Sequence, residues 1–416
     1  MNIAIVGAGA AGIATAHALQ RDGHAVTVYD QNGSAAEGAS FAPTGWLAPA
    51  LLQPWSAPGL APSPGLRRQA ALLRLGGALN HADLSWLWRW RQAGQRVRSA
   101  PQSVHPALAA IERLAQYSRA LRDSEGAALD QELQSQSGAM VLLRTEATLA
   151  RLQPALAVLA DAGVAVQQLD AAQARQLEPG LAGDFKLAGA LNLPGATTAN
   201  SRLWVQLQRF EAQQMGVQFV FDARVTRLRH APAGVQLAGE AAPRVHDALV
   251  LCAGADSAAL LRPLGLKLPV VGLDGYTVSA PVREPVHAPR CAVVDWDSQI
   301  TLVRLGQRVR AGGGAEIGTS AAHHAPTLQR LYDALNHWFP GGMQPSQGVQ
   351  TWRGTRAMTA DGAPLLGASG LPGIWLNLGH GNHGAAMAHG SGQLLADLIA
   401  GRAPAIDTSG LLLRAF

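Results

Sequence analysis

The chain begins with an apolar run, a glycine-rich turn and a segment of helical periodicity. Residues 2–7 are apolar without alternation, which is typical of a strand buried on both faces of a parallel sheet. Residues 10–22 carry apolar side chains at helical spacing, and residues 25–30 (AVTVYD) return to a strand pattern. These segments predict a βαβ unit with the glycine turn at the carboxyl end of two parallel strands.

Further strand and helix patterns follow along the chain. Helical spacing predicts helices at 67–98, 106–122, 146–162, 201–215, 325–338 and about 385–400. Strand patterns occur at 139–143, 187–193, 217–221, 247–252 and 373–378, and near 268–280, 291–295, 299–304 and 307–311. The four consecutive segments between 268 and 311 indicate an antiparallel sheet. Residues 34–64 lack periodicity, and we expect an irregular, functional segment there.

The parallel-type segments lie at the start, middle and end of the sequence, so we expect one domain to be discontinuous. The fold class predicted is α/β: a Rossmann-like nucleotide-binding domain with an inserted α+β substrate domain built on an antiparallel sheet. The nucleotide-binding domain is assigned to 1–80, 196–262 and 347–416, and the substrate-binding domain to 81–195 and 263–346. A length of 416 residues fits two domains.

Composition excludes several classes of protein. Two cysteines, Cys252 and Cys291, are too few for a disulfide framework or a zinc site, so we predict no metal and a reducing cytoplasm. The formal charge is +5, but the basic residues are scattered, which argues against a nucleic-acid partner. No apolar run approaches the roughly 20 residues that span a bilayer, and the N-terminus does not resemble a signal peptide.

One segment leaves contact with a membrane surface open. Residues 84–98 (LSWLWRWRQAGQRVR) place Trp86 and Trp90 four positions apart among four arginines. Such a helix can rest at a lipid interface. We favour the alternative that its tryptophans pack on the core of the protein. The localisation predicted is cytoplasmic, with a peripheral position on the inner membrane left open.

Three glycines at the N-terminus match a dinucleotide-binding fingerprint. Gly7, Gly9 and Gly12 form G-x-G-x-x-G directly after a predicted strand and directly before a predicted helix. The helix N-terminus would hold a pyrophosphate with its free N–H groups. Asp30 ends the next strand and is placed to accept hydrogen bonds from an adenosine ribose. No arginine follows Asp30, which argues against NADP.

A second glycine-rich turn near the C-terminus favours FAD over NAD. Residues 379–384 (GHGNHG) follow a predicted buried strand and open the last helix. A helix N-terminus at the pyrimidine edge of a flavin stabilises the negative charge that develops there on reduction. A nicotinamide enzyme has no need of this second turn.

These motifs resemble the D-amino acid oxidase and glycine oxidase superfamily of FAD-dependent oxidoreductases, and within it the bacterial D-amino acid dehydrogenase small subunits. The resemblance covers almost the whole chain. It is carried by IAIVGAGAAGIATAHAL (3–19), SFAPTGWLAPALLQPWSAPG (40–59), RAGGGAEIG (310–318), WRGTRAMTADGAPLLG (352–367), IWLNLGHG (374–381) and AHGSGQLLADLIAGR (388–402).

The resemblance implies a noncovalent FAD and a set of site residues. The residues it implies for FAD are Gly7, Gly9, Ala10, Ala11, Gly12, Asp30, Ser40, Phe41, Val225, Ala253, Gly254, Gly379, His380, Gly381, Asn382, His383 and Gly384. Ser40 and Phe41 are expected along the flavin. Arg356 matches the arginine that grips the substrate carboxylate, and Tyr276 matches a tyrosine that assists it.

The chemistry of arginine supports the role given to Arg356. A planar guanidinium holds a carboxylate through two parallel hydrogen bonds and so fixes its orientation. The implied reaction is hydride transfer from the α-carbon of a small amino acid to flavin N5, which depends mainly on such positioning. The imine formed would hydrolyse to a 2-oxo acid and ammonia.

This sequence departs from the family pattern at positions expected near the substrate. Asn382 and His383 replace small and aliphatic residues, and Asp274 stands where the family usually has a lysine. His383 is a candidate for proton transfer near the flavin or, equally, a local hydrogen-bonding residue. A cyclic imino acid or an N-substituted amino acid therefore stays open as substrate.

Three alternative functions remain from the sequence. The electrons are expected to pass to a quinone or another carrier, whereas a glycine- or sarcosine-type oxidase would use dioxygen. An RNA-modifying flavoprotein acting on a tRNA base is supported only by the basic pI, and the scattered arginines argue against it. A flavin-bearing subunit without catalysis would require Arg356 to lie far from the flavin.

Overall fold

A computed structural model gives the fold of the chain. It describes residues 1–60, 73–77, 79–101, 103–124, 133–183, 186–318 and 324–414. The predicted helix at 67–98 lies partly outside these residues. Within them, Leu73–Leu75 is a strand, and the helix begins at His81.

The strands belong to three sheets and are numbered in chain order. They are β1 Asn2–Val6, β2 Ala25–Tyr29, β3 Trp46–Ala48, β4 Leu73–Leu75, β5 Gln136–Leu143, β6 Gln167–Leu169, β7 Gly189–Thr198, β8 Gln218–Val220, β9 Val225–His230, β10 Ala233–Leu237, β11 Arg244–Val245, β12 Ala248–Leu251, β13 Val270–Pro281, β14 Ala292–Asp295, β15 Ile300–Leu305, β16 Arg308–Ile317, β17 Gln350–Thr359, β18 Leu365–Ala368 and β19 Ile374–Leu378.

The helices of the described residues cover the sheets. They are α1 Ala10–Arg21, α2 His81–Ser99, α3 Pro106–Asp123, α4 Glu146–Asp161, α5 Ala171–Leu177, α6 Ser201–Gln214, α7 Ser257–Leu261, α8 His324–Trp338 and α9 Gly384–Ile399. Most follow the predicted periodicity. A 3-10 turn, Gly381–His383, leads directly into α9.

The first sheet is the predicted nucleotide-binding unit. Its order is β18-β19-β12-β1-β2-β8, and all neighbours pair in parallel except the edge strand β18. Strands β1, β12 and β19 are almost wholly buried, as their continuous apolar runs predicted. Parallel pairing brings the carboxyl ends of β1, β12 and β19 to one edge, so the two glycine turns meet there.

The second large sheet is mixed. Its order is β17-β13-β16-β15-β14-β5-β7-β3, with β4 added beside β16 and β6 beside β7. Most neighbours are antiparallel, but β14 pairs with β5 and β4 with β16 in parallel. A small antiparallel sheet of β9, β10 and β11 completes the strands of the described residues.

Several strands of the mixed sheet come from segments that the sequence analysis assigned to the nucleotide-binding domain. Strands β3, β4 and β17 lie in segments assigned to the nucleotide-binding domain, yet they pair within the mixed sheet. The pairing of β17 with β13 is long and regular, from Thr359 opposite Val270 to Gln350 opposite Ser279. Strand periodicity alone does not reveal which distant strand is the partner, so the sequence did not place β17.

Candidate active site

The N-terminal glycine turn is possible only because two of its residues lack side chains. Gly7 has φ +107°, and a Cβ there would lie 2.5 Å from the carbonyl oxygen of Cys252. A Cβ on Gly12 would lie 1.8 Å from the Gly7 carbonyl oxygen. The turn therefore passes close to β12, and α1 lies directly against the turn, as the fingerprint predicted.

The N-terminus of α1 opens into a crevice. Gly9 is the N-cap and provides no side-chain cap, while Ser40 Oγ accepts from the Ala10 N–H at 3.1 Å. Asp30 accepts from the Ala8 N–H at 2.6 Å and from the Asn32 N–H at 2.8 Å. The turn thus presents backbone donors and one carboxylate, the groups that a pyrophosphate and a ribose require.

Most of the residues predicted to bind FAD line this crevice, whose cavity volume is about 490 Å³. Those on its lining are Gly7, Gly9, Ala10, Ala11, Asp30, Ser40, Val225, Ala253, Gly254, Gly379, His380, Gly381 and Gly384. Four predicted residues are not on the lining: Gly12, which packs against the Gly7 carbonyl group, and Phe41, Asn382 and His383.

A smaller cavity of about 110 Å³ adjoins the crevice. The two share lining residues from both glycine turns, from the segment between β2 and β3, and from β17: Ala10, Ala39, Ser40, Gly354, Arg356, Gly381 and Gly384. A planar group lying along these shared residues would have one face toward the smaller cavity. This arrangement makes the smaller cavity the candidate substrate site.

Arg356 lies at the junction of the two cavities. Its Nη2 donates to the carbonyl oxygen of Gly314 at 2.6 Å, and its Nε has no hydrogen-bond partner in the described part of the chain. Burial lowers the pKa of Arg356 to about 10, so the guanidinium remains cationic at neutral pH. The nearby Asp274 acts against this lowering but forms its ion pair with Arg353, at 2.9 Å.

The structure gives Tyr276 a different contact from the predicted one. The side chain is 1% exposed, and its hydroxyl donates to Glu316 Oε2 at 2.8 Å. Burial and the Glu316 carboxylate both raise the pKa of Tyr276. Tyr276 lines the smaller cavity and donates its hydroxyl proton to Glu316, and its assistance to a substrate carboxylate stays a prediction. Sequence position did not reveal this buried acceptor on β16.

His383 is a structural residue of the C-terminal turn in this fold. It is fully buried, lines neither cavity, and its Nε2 donates to the carbonyl oxygen of Ser56 at 3.0 Å. Burial lowers the pKa of His383 to about 4 and that of His380 likewise to about 4. Both histidines are therefore neutral at physiological pH, which favours the local hydrogen-bonding role over proton transfer.

The other two predicted residues outside the crevice, Asn382 and Phe41, lie in different places. Asn382 lines the smaller cavity and donates from Nδ2 to the carbonyl oxygen of Pro54 at 2.8 Å. Phe41 lines neither cavity; its ring stacks on Trp352 with ring centroids 6.3 Å apart. The position along the flavin expected for Phe41 stays a prediction.

The sequence did not identify the aromatic walls of the smaller cavity. Trp46, Trp55 and Trp352 line it. Trp46 and Trp55 belong to the irregular segment expected to be functional, whose residues 46–60 are buried. Trp55 has φ +55°, an uncommon conformation for a bulky residue and typical of a functional site. Without periodicity, nothing in the sequence indicated which side chains face a cavity.

In helix α2, the prediction that Trp86 and Trp90 pack on the core of the protein is confirmed for Trp86. Trp86 is 2% exposed, donates from Nε1 to the Met358 carbonyl oxygen at 2.9 Å, and stacks on Trp90. The outward face instead carries Leu84 and Trp88, which are 54% and 60% exposed. Among the described residues, no helix has the length and apolar character required to cross a membrane.

Comparison with known proteins agrees with this geometry. The family model described as FAD dependent oxidoreductase matches residues 2–398. A D-amino acid dehydrogenase from Cereibacter sphaeroides is 36% identical over 428 aligned residues, covering 99% of this chain and 94% of that protein.

Solved structures show the same fold. Glycine oxidase from Geobacillus kaustophilus has a TM-score of 0.75 at 22% identity, covering 100% of this chain and 99% of that one. L-proline dehydrogenase from P. horikoshii has a TM-score of 0.69 at 17% identity, covering 97% and 94%. Both likenesses concern the fold alone.

The chain belongs to the FAD dependent oxidoreductase family, and its cofactor is FAD. The structure fits this cofactor, because the crevice has the bare glycine turn, the ribose-directed carboxylate and a second glycine turn at its far end. A Cβ at Gly9 would lie 3.4 Å from Ser40 Oγ, an ordinary van der Waals contact, so the need for glycine here would come from the close approach of the pyrophosphate.

Proposed function

We propose that this enzyme catalyses the oxidative deamination of a D-amino acid to a 2-oxo acid. The observation that carries the proposal is the position of Arg356, a cation at the junction of the two cavities that forms no ion pair within the described residues. Even a partly buried cation without a carboxylate partner is costly, and a substrate carboxylate supplies that partner. The name of the Cereibacter sphaeroides relative supports the same reaction.

Positioning is the main contribution of the side chains. Arg356 Nη2 is fixed by the Gly314 carbonyl, so the remaining N–H groups of the guanidinium are free to hold the α-carboxylate through two parallel bonds. The substrate α-carbon then lies over the residues shared by the two cavities. Bound FAD supplies the hydride acceptor, flavin N5.

No side chain in the smaller cavity is suited to act as a strong base. Arg356 is the one charged residue among its described lining residues, and the neutral His383 lies outside it. The amine therefore has to enter uncharged or lose its proton to water. The rate should then rise with pH toward the pKa of the substrate amine.

The test is anaerobic mixing of the purified yellow holoenzyme with D- and L-amino acids, cyclic imino acids and N-methyl amino acids. We expect D-amino acids to bleach the flavin absorbance and to yield a 2-oxo acid and ammonia. Bleaching by L-amino acids alone, or by none of these compounds, contradicts the proposal.

The electron acceptor proposed is a quinone, which agrees with the name dehydrogenase carried by the relative. The exposed side chains of α2, Leu84 and Trp88 beside Arg91, give this helix a surface suited to the membrane where quinones reside. We propose a peripheral position there.

Two measurements test the acceptor and the membrane contact. Reduced enzyme should reoxidise faster with a soluble quinone than with dioxygen; rapid peroxide formation would instead identify a glycine-type oxidase. Sedimentation with anionic lipid vesicles should decrease in the variant Trp88→Ser. Equal sedimentation of both proteins contradicts the membrane contact at α2.

A further inference from the structure

The smaller cavity contains a glycine pair that holds two flat side chains. Gly275 on β13 lies directly opposite Gly354 on β17. A Cβ on Gly275 would lie 2.3 Å from Arg356 Nη1, and one on Gly354 would lie 1.9 Å from Trp352 Cη2. The Arg356 guanidinium therefore occupies the space of the side chain missing at Gly275, and the Trp352 indole occupies the space of the one missing at Gly354. Because the two glycines are paired across β13 and β17, these two spaces are neighbours.

The indole of Trp352 is the first member of a stack of three side chains. Phe41 stacks on it with an angle of 23° between the rings. The Arg202 guanidinium lies over Phe41, 3.8 Å from the ring centroid, and pairs with Glu37 at 2.9 Å. Because Phe41 stacks on the indole and the backbone at Gly354 lies close to its six-membered ring, Trp352 has limited freedom to turn.

The rest of the cavity wall offers no charge to a substrate side chain. Trp46 and Trp55 add two further aromatic surfaces, and the other described lining residues apart from Arg356 are uncharged. An aspartate-like or lysine-like side chain would lose its hydration here without gaining an ionic partner. A flat apolar side chain would gain contact with the indole.

We propose that Trp352 selects amino acids with an uncharged, planar side chain, and that Phe41 is the positioning residue that holds Trp352 in place. This inference rests on the proposed function, since it assigns the substrate class of the same site. The α-carboxylate is held by Arg356, and the side chain lies against the adjacent indole.

The test compares substrates and variants of the holoenzyme by anaerobic flavin reduction. In the wild type, kcat/KM for D-phenylalanine should exceed that for D-alanine, and both should exceed those for D-aspartate and D-lysine. Trp352→Ala should lower the ratio of D-phenylalanine to D-alanine about tenfold, since an aromatic pair contributes about that factor. Trp352→Phe should restore most of it.

Phe41 and a surface tryptophan supply the matched comparisons. Phe41→Leu should lower the same ratio mainly through KM, without changing the flavin absorbance spectrum, and Phe41→Tyr should restore it. Trp88→Ala, on the exposed face of α2, should leave the ratio unchanged.

Two results overturn the inference while the proposed function stands: a wild type that prefers D-aspartate or D-lysine, or an unchanged ratio in Trp352→Ala with its flavin spectrum intact. If no D-amino acid reduces the flavin, the proposed function fails, and this inference with it. If Trp352→Ala does not fold, the variants Trp352→Phe and Phe41→Leu decide. If Phe41→Leu leaves the ratio of kcat/KM for D-phenylalanine to D-alanine unchanged, the positioning role of Phe41 is overturned.

Discussion

The crevice and the smaller cavity are built in different ways. The crevice is built largely on backbone: two glycine turns and two helix N-termini, with the carboxylate of Asp30 beside the first turn. The smaller cavity is formed by side chains from distant segments, with Trp55, Trp352 and Arg356 among them. A backbone site recognises a constant cofactor, whereas a site of side chains can vary with the substrate without disturbing the fold.

The largest effect on the stability of the fold is expected where the crevice depends on close backbone contact. Gly12→Ala places a Cβ where the Gly7 carbonyl oxygen lies 1.8 Å away. Because that oxygen belongs to the backbone of a buried turn, we expect a loss of about 3 kcal/mol or more in the free energy of unfolding. Urea denaturation measures it, and FAD should be absent from the purified variant.

Gly9→Ala is the matched control for this contact. Its Cβ would meet only Ser40 Oγ, at 3.4 Å, so the apoprotein should remain folded while FAD binding weakens. Equal stability of Gly12→Ala and Gly9→Ala would show that helix α1 does not depend on the missing Cβ.

The neutral histidines of the C-terminal turn predict a dependence of stability on pH. The folded pKa of His383 is lowered to about 4, below its ordinary value of 6.5, so the unfolded chain binds the proton first. The stabilisation is complete above pH 6.5 and is lost as the pH falls from 6.5 to 4. The loss is at most about 3 kcal/mol for each histidine.

His383→Gln tests this account, because glutamine also donates to the Ser56 carbonyl oxygen. Urea denaturation at pH 7 and at pH 5 should show a drop in stability that is about 2 kcal/mol smaller in the variant than in the wild type. The same drop in both proteins would mean that His383 does not titrate in this range.

The substrate cavity should be sensitive to the glycine pair beneath Arg356. Gly275→Ala displaces Arg356 Nη1, which lies 2.3 Å from the added Cβ position. We expect kcat/KM for the preferred amino acid to fall by about 30-fold, because a displacement of about 1 Å at a positioning group has effects of this order. FAD content should be unchanged. Gly183 is exposed, and none of the described residues lies within 4 Å of a Cβ added there, so Gly183→Ala should have no effect.

The smallest effect is expected at the ribose end of the crevice. Asp30→Asn retains an acceptor for the Ala8 N–H but loses the charge that strengthens a hydrogen bond to the ribose. FAD affinity should fall about tenfold. Fluorescence titration of the apoprotein measures it, and an unchanged affinity would place the ribose elsewhere.

The two regions also differ in what the sequence reveals. The crevice was predicted closely because the fingerprint, Asp30 and the turn at 379–384 are local motifs with fixed spacing. The pairing of β13 with β17 was not predicted, nor was the stack of Phe41 on Trp352. These contacts join residues far apart in the chain, and no local pattern encodes them. The hydrogen bond from the Tyr276 hydroxyl to Glu316 was not predicted for the same reason, because Glu316 lies on another strand.

The most direct test of the account is the rate of flavin reduction in Arg356→Ala. Removing the cation that holds the substrate carboxylate should lower kcat/KM for the preferred D-amino acid about 1,000-fold, with a full complement of FAD and an unchanged absorbance spectrum. Arg356→Lys should recover only part of the loss, since an ammonium cannot form two parallel bonds. Undiminished reduction by Arg356→Ala would contradict the assignment of the smaller cavity as the substrate site.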